Sequence, residues 1–278
     1  MSNKDIIITK ASGIADVYSA EKLRRSLAKS GAPDEMIVSI LAEIGAKLYN
    51  GISTKKIYRL AFDLLKKNSG SNAGRYNLKR AIMALGPSGF PFEQFIGAIF
   101  GWQGYNIKVK QFLEGLCVTH EIDVLAQNDH HALLIECKYH NKQGIVSDVK
   151  VPLYIQSRYL DVLGKWNKDF AAKPLEGWVV TNTKFSTDAV KYGNCAGLHL
   201  LGWNYPLQKS LSTMVDESGL YPITCLTTLT GKEKEQLLET GVVLCKDLGK
   251  RVELFQNAGI SATRIQKILA EIEALCKI

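Results

Sequence analysis

His120-Glu121-Ile122-Asp123-Val124 and Ile135-Glu136-Cys137-Lys138-Tyr139 read as two β-strands, with a polar turn around Asn128-Asp129-His130 between them. Side chains two apart on a strand share a face, roughly 7 Å from one another. Glu136 and Lys138 therefore point the same way, and pairing of the two strands as a hairpin brings Asp123 to them. Two carboxylates and one amine then converge on one small region. Hard oxygen ligands of this kind suit Mg²⁺ or Mn²⁺, and a lysine beside them suits a phosphodiester under attack. For the bare pattern, a solvent-facing strand with alternating charges is the alternative. The run Leu133-Leu134-Ile135 ends directly in the charged pair, which places it at a strand end, where open α/β sheets build their sites.

Upstream, the stretch from Pro91 to Phe100 reads as an amphipathic helix that runs through Gly101-Trp102-Gln103-Gly104-Tyr105 into a strand from Asn106 to Lys110. Taken in order, Phe92-Glu93, Gly104-Tyr105, Ile122-Asp123 and Glu136-Cys137-Lys138 resemble the PD-(D/E)xK nucleases of the Mrr-like restriction endonuclease branch, over about residues 90 to 203. The resemblance implies a mixed sheet flanked by helices and metal-dependent cleavage of DNA. It also implies Asp123 and Glu136 as metal ligands and Glu93 as an accessory acid. Lys138 would orient the attacking water or stabilise charge on the phosphate. The chain departs from the family pattern at His120-Glu121, where small residues are usual. Glu121 shares a strand face with Asp123 and either extends the acidic site, pairs with Lys138, or is a plain surface acid. His120 points to the other face and reads as a structural histidine rather than a base.

Beyond the acids, a long helix is expected from about Ser147 to Trp166, with Lys150, Tyr154 and Arg158 on one stripe at i, i+4 and i+8. Such a stripe beside a metal site positions a nucleic-acid backbone, whereas a tyrosine there equally serves core packing. A strand at Gly177 to Thr181, a helix at Ser186 to Asn194 and a strand at Leu198 to Trp203 follow. The order fits an α/β sheet with flanking helices.

The chain has 278 residues, 46% of them apolar, and carries a net charge of +8. Residues 1–86 hold 15 Lys/Arg against 7 Asp/Glu, and residues 87–278 hold 20 of each. The basic excess thus lies entirely in the first third, as suits a partner that is a polyanion; a solvated helix surface is the plainer reading. No run of about 18 apolar residues marks a membrane span, and the first residues lack the apolar region of a signal peptide. The six cysteines are scattered without a C-x-x-C pair, which argues against a zinc ribbon or a secreted disulfide framework and for a reducing cytoplasm.

That basic third begins with a hairpin, Ile6 to Lys10 and Ile14 to Tyr18 around Ala11-Ser12-Gly13. Four helices follow, the first from Ala20 to Ser30 behind an N-cap at Ser19, and the last over about Ala73 to Leu85. Gly51-Ile52-Ser53-Thr54 breaks the second helix from the third. Thr9-Lys10…Gly13, Ser19-x-x-Lys22-Leu23, Gly51-Ile52-Ser53-Thr54-x-x-Ile57 and Arg75-Tyr76-x-Leu78-x-Arg80-Ala81-Ile82 resemble the ATP-cone, the regulatory module of ribonucleotide reductases. The match runs essentially from residue 4 to 86 and implies binding of ATP or dATP. Lys10 and Lys22 would contact phosphates, Gly13 would let backbone approach closely, Thr54 and Tyr58 would lie near the nucleotide, and Arg80 would reach the phosphates. Ala11 stands where the family often has arginine.

The organisation expected is a cone at 1–86, a nuclease domain at 87–205, a linker with a short helix at 206–223, and a helical tail at 224–278. In the tail, Leu237 to Val243 followed by Lys246-Asp247-Leu248 resembles a helix-hairpin-helix that grips DNA phosphates through backbone amides; a packing or dimerisation appendage is the alternative. The whole reads as an α/β protein, a Mg²⁺-dependent DNA endonuclease answering to ATP or dATP and pairing its sites as a homo-oligomer. A nucleotide-responsive DNA-binding protein without catalysis is the second reading.

Overall fold

A computed structural model describes residues 6–10, 13–170 and 173–277. Short hydrophobic runs in the first third build a small sheet with a helical cover. Strands β1 (Ile7–Thr9) and β2 (Ala15–Val17) pair antiparallel as the expected hairpin; its turn residues Ala11 and Ser12 lie outside the described residues. Ile52–Ser53, expected as a break, forms a third strand, β3, parallel to β1 with Ile8 opposite Ile52. Helices α1 (Ala20–Lys29), α2 (Asp34–Gly45) and α3 (Thr54–Asn68) pack on it. Ser19 caps α1 by accepting the Lys22 N–H, and Ser53 caps α3 by accepting the Lys56 N–H, each satisfying a donor that a helix start leaves orphaned. The single helix expected over about residues 73–85 is two, α4 (Gly70–Tyr76) and α5 (Leu78–Met83). Asn77 stands between them and accepts the Tyr58 hydroxyl at 2.8 Å. Leu27, Ile37, Ile40, Ile44, Ile52 and Leu65 fill this core.

The middle of the chain is a five-stranded mixed sheet. After α6 (Phe90–Trp102) come β4 (Asn106–Glu114), β5 (Thr119–Gln127) and β6 (Ala132–Lys138), paired antiparallel in sequence. A two-residue strand β7 (Val146–Ser147) and helix α7 (Lys150–Asp169) lead to β8 (Leu175–Thr181), parallel to β6. Strand β9 (Lys184–Phe185) pairs with β7, and after α8 (Thr187–Ala196) the strand β10 (His199–Leu201) closes the order β10-β8-β6-β5-β4. Period-two alternation divides β6 cleanly. Leu133 and Ile135 join the core under α6, while Ala132 and Leu134 pack with Val162 and Trp166 of α7.

Helix α6 is more buried than an amphipathic surface helix, with Phe92, Phe95, Ile96, Ile99 and Phe100 all enclosed. The cause is the end of the chain. The stretch expected as a linker carries α9 (Leu211–Ser218), whose Leu211, Met214 and Val215 are buried in the same core as the α6 phenylalanines. A 3₁₀ turn (Ile223–Cys225), α10 (Gly231–Glu239), α11 (Cys245–Gly249), α12 (Glu253–Asn257) and α13 (Ala262–Cys276) complete that core. So 206–223 is packed structure rather than a spacer.

Two polar clamps hold this last part, one within it and one to the first helices. The Glu271 carboxylate accepts the backbone N–H and hydroxyl of both Thr227 and Thr228 at 2.6–3.0 Å. The Arg75 guanidinium of α4 donates to the carbonyls of Ala274, Leu275 and Lys277 at the end of α13, where unpaired carbonyls and the helix dipole both favour a cation. Among the described residues no helix is long and apolar enough to cross a membrane.

Candidate active site

Strands β5 and β6 part company where the acids lie. Their ladder runs from Gln127↔Ala132 to Val124↔Ile135 and stops. The next position is taken by a side chain, because Asp123 Oδ2 accepts the Cys137 N–H at 2.7 Å. From there β6 continues beside β8 as far as Lys138↔Thr181, and β5 continues beside β4 to Thr119. A fork opens between them.

The β4–β5 hairpin also turns over at this level. Ile107, Val124 and Ala126 pack with the core under α6, whereas Leu113 and Ile122, which regular alternation would put on that same side, pack with α7. The pivot is Lys110, a non-glycine residue at φ +55° between the pairs Val109↔Val124 and Gln111↔Ile122. Left-handed backbone is strained for a lysine and is found disproportionately at working sites. It increases the local twist as a bulge does. Asp123 sits opposite that pivot.

Five residues nominated from sequence meet at the fork: Glu93 from the first turn of α6, Glu121 and Asp123 from β5, and Glu136 and Lys138 from β6. Burial pushes the Glu93 carboxyl up to about 7, with Asp123 and Glu121 adding to the rise. Burial likewise pushes Glu136 up to about 8, with Asp123 adding. Asp123 is raised by burial too, although the Cys137 N–H and Arg158 offset part of it. Glu121 pairs with Lys110 at 3.6 Å rather than with Lys138. The acids thus raise one another, and the neighbouring cations leave them under-compensated.

Arg158 of α7 takes an unexpected part. Its Nη1 donates to Glu136 Oε2 at 2.6 Å, and its Nη2 donates to the Glu121 carbonyl. It therefore leaves the outward stripe, while Lys150 and Tyr154 stay on it and line a cleft of about 290 Å³ with Glu136, Cys137 and Lys138. His120 is structural as expected in its contacts, with Nε2 2.8 Å from Asp161 Oδ2. Asp161 also accepts the Cys117 and Val118 N–H groups, which holds the hairpin tip on α7 one turn from Arg158.

Glu136 Oε1 is buried without a hydrogen-bond partner. An orphaned, inward-facing carboxylate oxygen beside a second carboxylate fits a hard divalent cation, which takes one or two carboxylates and completes its shell with water and phosphate. Asp123 and Glu136 are the residues placed to hold it. Among the described residues no three His, Cys, Asp or Glu side chains form a closed metal cage, so a cation here would rely on those further oxygens. Lys110 and the inward Arg158 were missed by motif reading. Strand register would have found the first, opposite Asp123, but nothing local marks the second.

In the cone, Lys10, Lys22, Thr54 and Tyr58 line one cavity of about 260 Å³, together with Asp16 and Tyr76. Arg80 stacks its guanidinium 3.8 Å from the Tyr58 ring centre, and Tyr58 stacks on Tyr76 at 4.8 Å. Gly13 is not in the cavity wall; at φ +81° it serves the hairpin turn. Asp16, unremarked in the sequence, holds both lysines, at 2.7 Å from Lys10 and 3.7 Å from Lys22. Its carboxyl is lowered, first by the Lys10 hydrogen bond.

An uncharacterized protein of Archaeoglobus fulgidus is 36% identical over 169 residues, a match that spans 60% of this chain and 92% of that one. A crystal structure of a protein of unknown function, AF1548, superposes with a TM-score of 0.56 at 31% identity, covering 68% of this chain and 98% of that one. The chain belongs to the AF1548-like family. The family model of the AF1548-like C-terminal region matches residues 221–276, which in this AF1548-like chain run from Tyr221 through α13. The match therefore begins just after α9, three residues before the helical tail expected at 224–278.

Proposed function

We propose that this AF1548-like protein is a divalent-cation-dependent DNA endonuclease whose activity answers to ATP or dATP. The observation that carries the first half is the fork itself, where Asp123, Glu136 and Lys138 converge and Glu136 Oε1 lacks a partner. Asp123 and Glu136 would bind Mg²⁺ or Mn²⁺, which when bound lowers the pKa of a water and neutralises charge building on the phosphate. Lys138, exposed at the end of β6, contributes charge to the phosphate or orients the water. Arg158 holds the second oxygen of Glu136, fixing its rotamer and leaving Oε1 aimed inward. Glu93, with its proton affinity near neutrality, is suited to exchange a proton at the site. Lys150 and Tyr154 flank the cleft where a backbone phosphate would lie.

The nucleotide half rests on the cone cavity with its stacked tyrosines and basic rim. Supercoiled plasmid incubated with Mg²⁺ or Mn²⁺ tests the nuclease, with Asp123→Asn as control. Nicking by the parent and not by the variant is expected. Equal behaviour of the two would end the nuclease reading.

A second reading has one observation in its favour. The Arg158 guanidinium already sits on Glu136 at 2.6 Å, as a protein cation would in a site retained for DNA binding without catalysis. DNA binding by gel shift, with no cleavage under any divalent cation, would select it.

A further inference from the structure

A second cavity, of about 310 Å³, lies where the cone meets the rest of the molecule. Lys29, Tyr58, Arg75, Tyr76 and Lys79 wall it on the cone side, and Trp203, just after β10, faces them with α9. It shares Ser26, Tyr58 and Tyr76 with the hairpin cavity, so the two meet at the stacked tyrosine pair. Their combined size falls within the span of about 300–1,000 Å³ usual for small-ligand sites.

The two halves differ in chemistry. Ile8, Val17, Leu23 and Ile57 give the hairpin half an apolar wall, and both its lysines are already held by the one Asp16 carboxylate, which leaves a net charge of +1 there. At the junction three cations, Lys29, Arg75 and Lys79, face one acid, Asp216. Lys29 is paired with Asp216 at 3.3 Å, and Arg75 is spent on carbonyls of α13. Lys79, in the wall of the junction, takes part in no ion pair among the described residues; nor does Arg80, which lines neither cavity but stacks on the Tyr58 they share. Lys79 is half-buried with its Nζ 5.7 Å from the Trp203 ring centre. Burial, and then Lys184, lower its affinity for a proton. A half-buried ammonium facing a second cation is a position that a bound anion stabilises.

We propose that the two cavities are halves of one site, in which a nucleoside triphosphate lays its base and ribose in the apolar hairpin half and its phosphates across the junction, on Lys79 beside Trp203, with Arg80 behind the shared Tyr58. The proposal rests on the nucleotide half of the reading above and changes where the phosphates go, from the Asp16-bound lysines of the hairpin to the junction. It also makes the ligand touch both the cone and the sheet domain, which a site confined to the hairpin would not.

Isothermal titration of the full chain with adenosine, ADP, ATP and inorganic tripolyphosphate tests it. Affinity is expected to rise with phosphate count, and tripolyphosphate alone is expected to bind. Lys79→Gln, which removes the charge but leaves a polar side chain facing Trp203, should weaken ATP about tenfold while leaving adenosine unchanged. Lys79→Arg should restore most of the loss. Lys10→Ala should change ATP affinity less than about threefold. A larger loss from Lys10→Ala or Lys22→Ala than from Lys79→Gln overturns the proposal and leaves nucleotide binding standing, as does equal affinity for adenosine and ATP. If none of the nucleotides binds, the proposal and the nucleotide half fall together. The nuclease half is read separately, on plasmid without nucleotide.

Discussion

The fork and the hairpin cavity were both nominated by charged residues at fixed spacing, yet they hold opposite electrostatic states. At the fork the acids are crowded and buried, and Glu93 and Glu136 are pushed up to about 7 and about 8. In the hairpin cavity charges of opposite sign are paired, because Asp16 lies within reach of both Lys10 and Lys22 and its own carboxyl is lowered. A cluster of like charges with an orphaned oxygen wants a counter-ion, whereas a triad of mixed sign already holds part of its own. The difference teaches that motif residues locate a cavity, but the local charge balance says which end of it a ligand would complete.

The largest expected effect is on catalysis. Glu136→Gln should lower plasmid cleavage by about a thousandfold or more, since it removes a charge on which a bound cation depends. The same variant should not lower the melting temperature in chelator, because Gln can still accept from Arg158 and the crowding of acids is relieved. A cooperative loss of stability instead would mean that the fork is a structural ion cluster, like the hairpin.

The matching change in the cone should run the other way. Asp16→Asn leaves Lys10 and Lys22 facing each other without an acid, so the melting temperature should fall modestly. An increase would show that Asp16 is not the neutralising partner, and the contrast between the two sites would fail.

Acidity separates the sites next. The folded forms of Glu93 and Glu136 hold protons that the unfolded chain releases, so in chelator stability should decline as pH rises from about 4.5 toward 8. Glu136→Gln should flatten that decline. Elsewhere Asp161, lowered to about 2 chiefly by His120, and Glu233, lowered to about 2 chiefly by Arg264, act in the opposite sense. The stability they contribute is present above the ordinary carboxylate range and is lost as pH falls toward 2. Chemical denaturation across pH 2 to 8 should therefore give a maximum between the two slopes.

The smallest effect concerns the pivot. Lys110→Gly removes the strain of a left-handed lysine and should raise stability by about 1 kcal/mol, at the expense of the Glu121 pair. If it lowers stability, the turnover of the hairpin is held by the lysine side chain rather than tolerated by it.

Much of this was legible in the chain. Alternation in Leu133 to Lys138 gave β6 and its two faces, helical spacing gave α1, α2 and α3, and Ser19 marked a cap that forms. The order of Glu93, Asp123, Glu136 and Lys138 singled out four residues that the fold brings to one fork. The illegible parts share a cause. Asn77 breaks a helix because Tyr58 bonds to it from another helix. Arg158 turns inward because Glu136 lies beneath it on a neighbouring strand. Residues 206–223 look like a spacer by composition and become core only because α6 presents a second apolar side to them.

The sequence by itself determined the longer strands and helices, the Ser19 cap, the α/β class and the order of acids and lysine on β5 and β6, because these follow from periodicities of two and 3.6 residues and from neighbours within a turn. Only the tertiary structure decided the fork, the flip at Lys110, the inward Arg158 and the joining of first helices to last. Those depend on partners far apart in the chain, as when Arg75 grips Leu275 across 200 residues. No local pattern encodes such a contact, since its free energy exists only once both cores have formed.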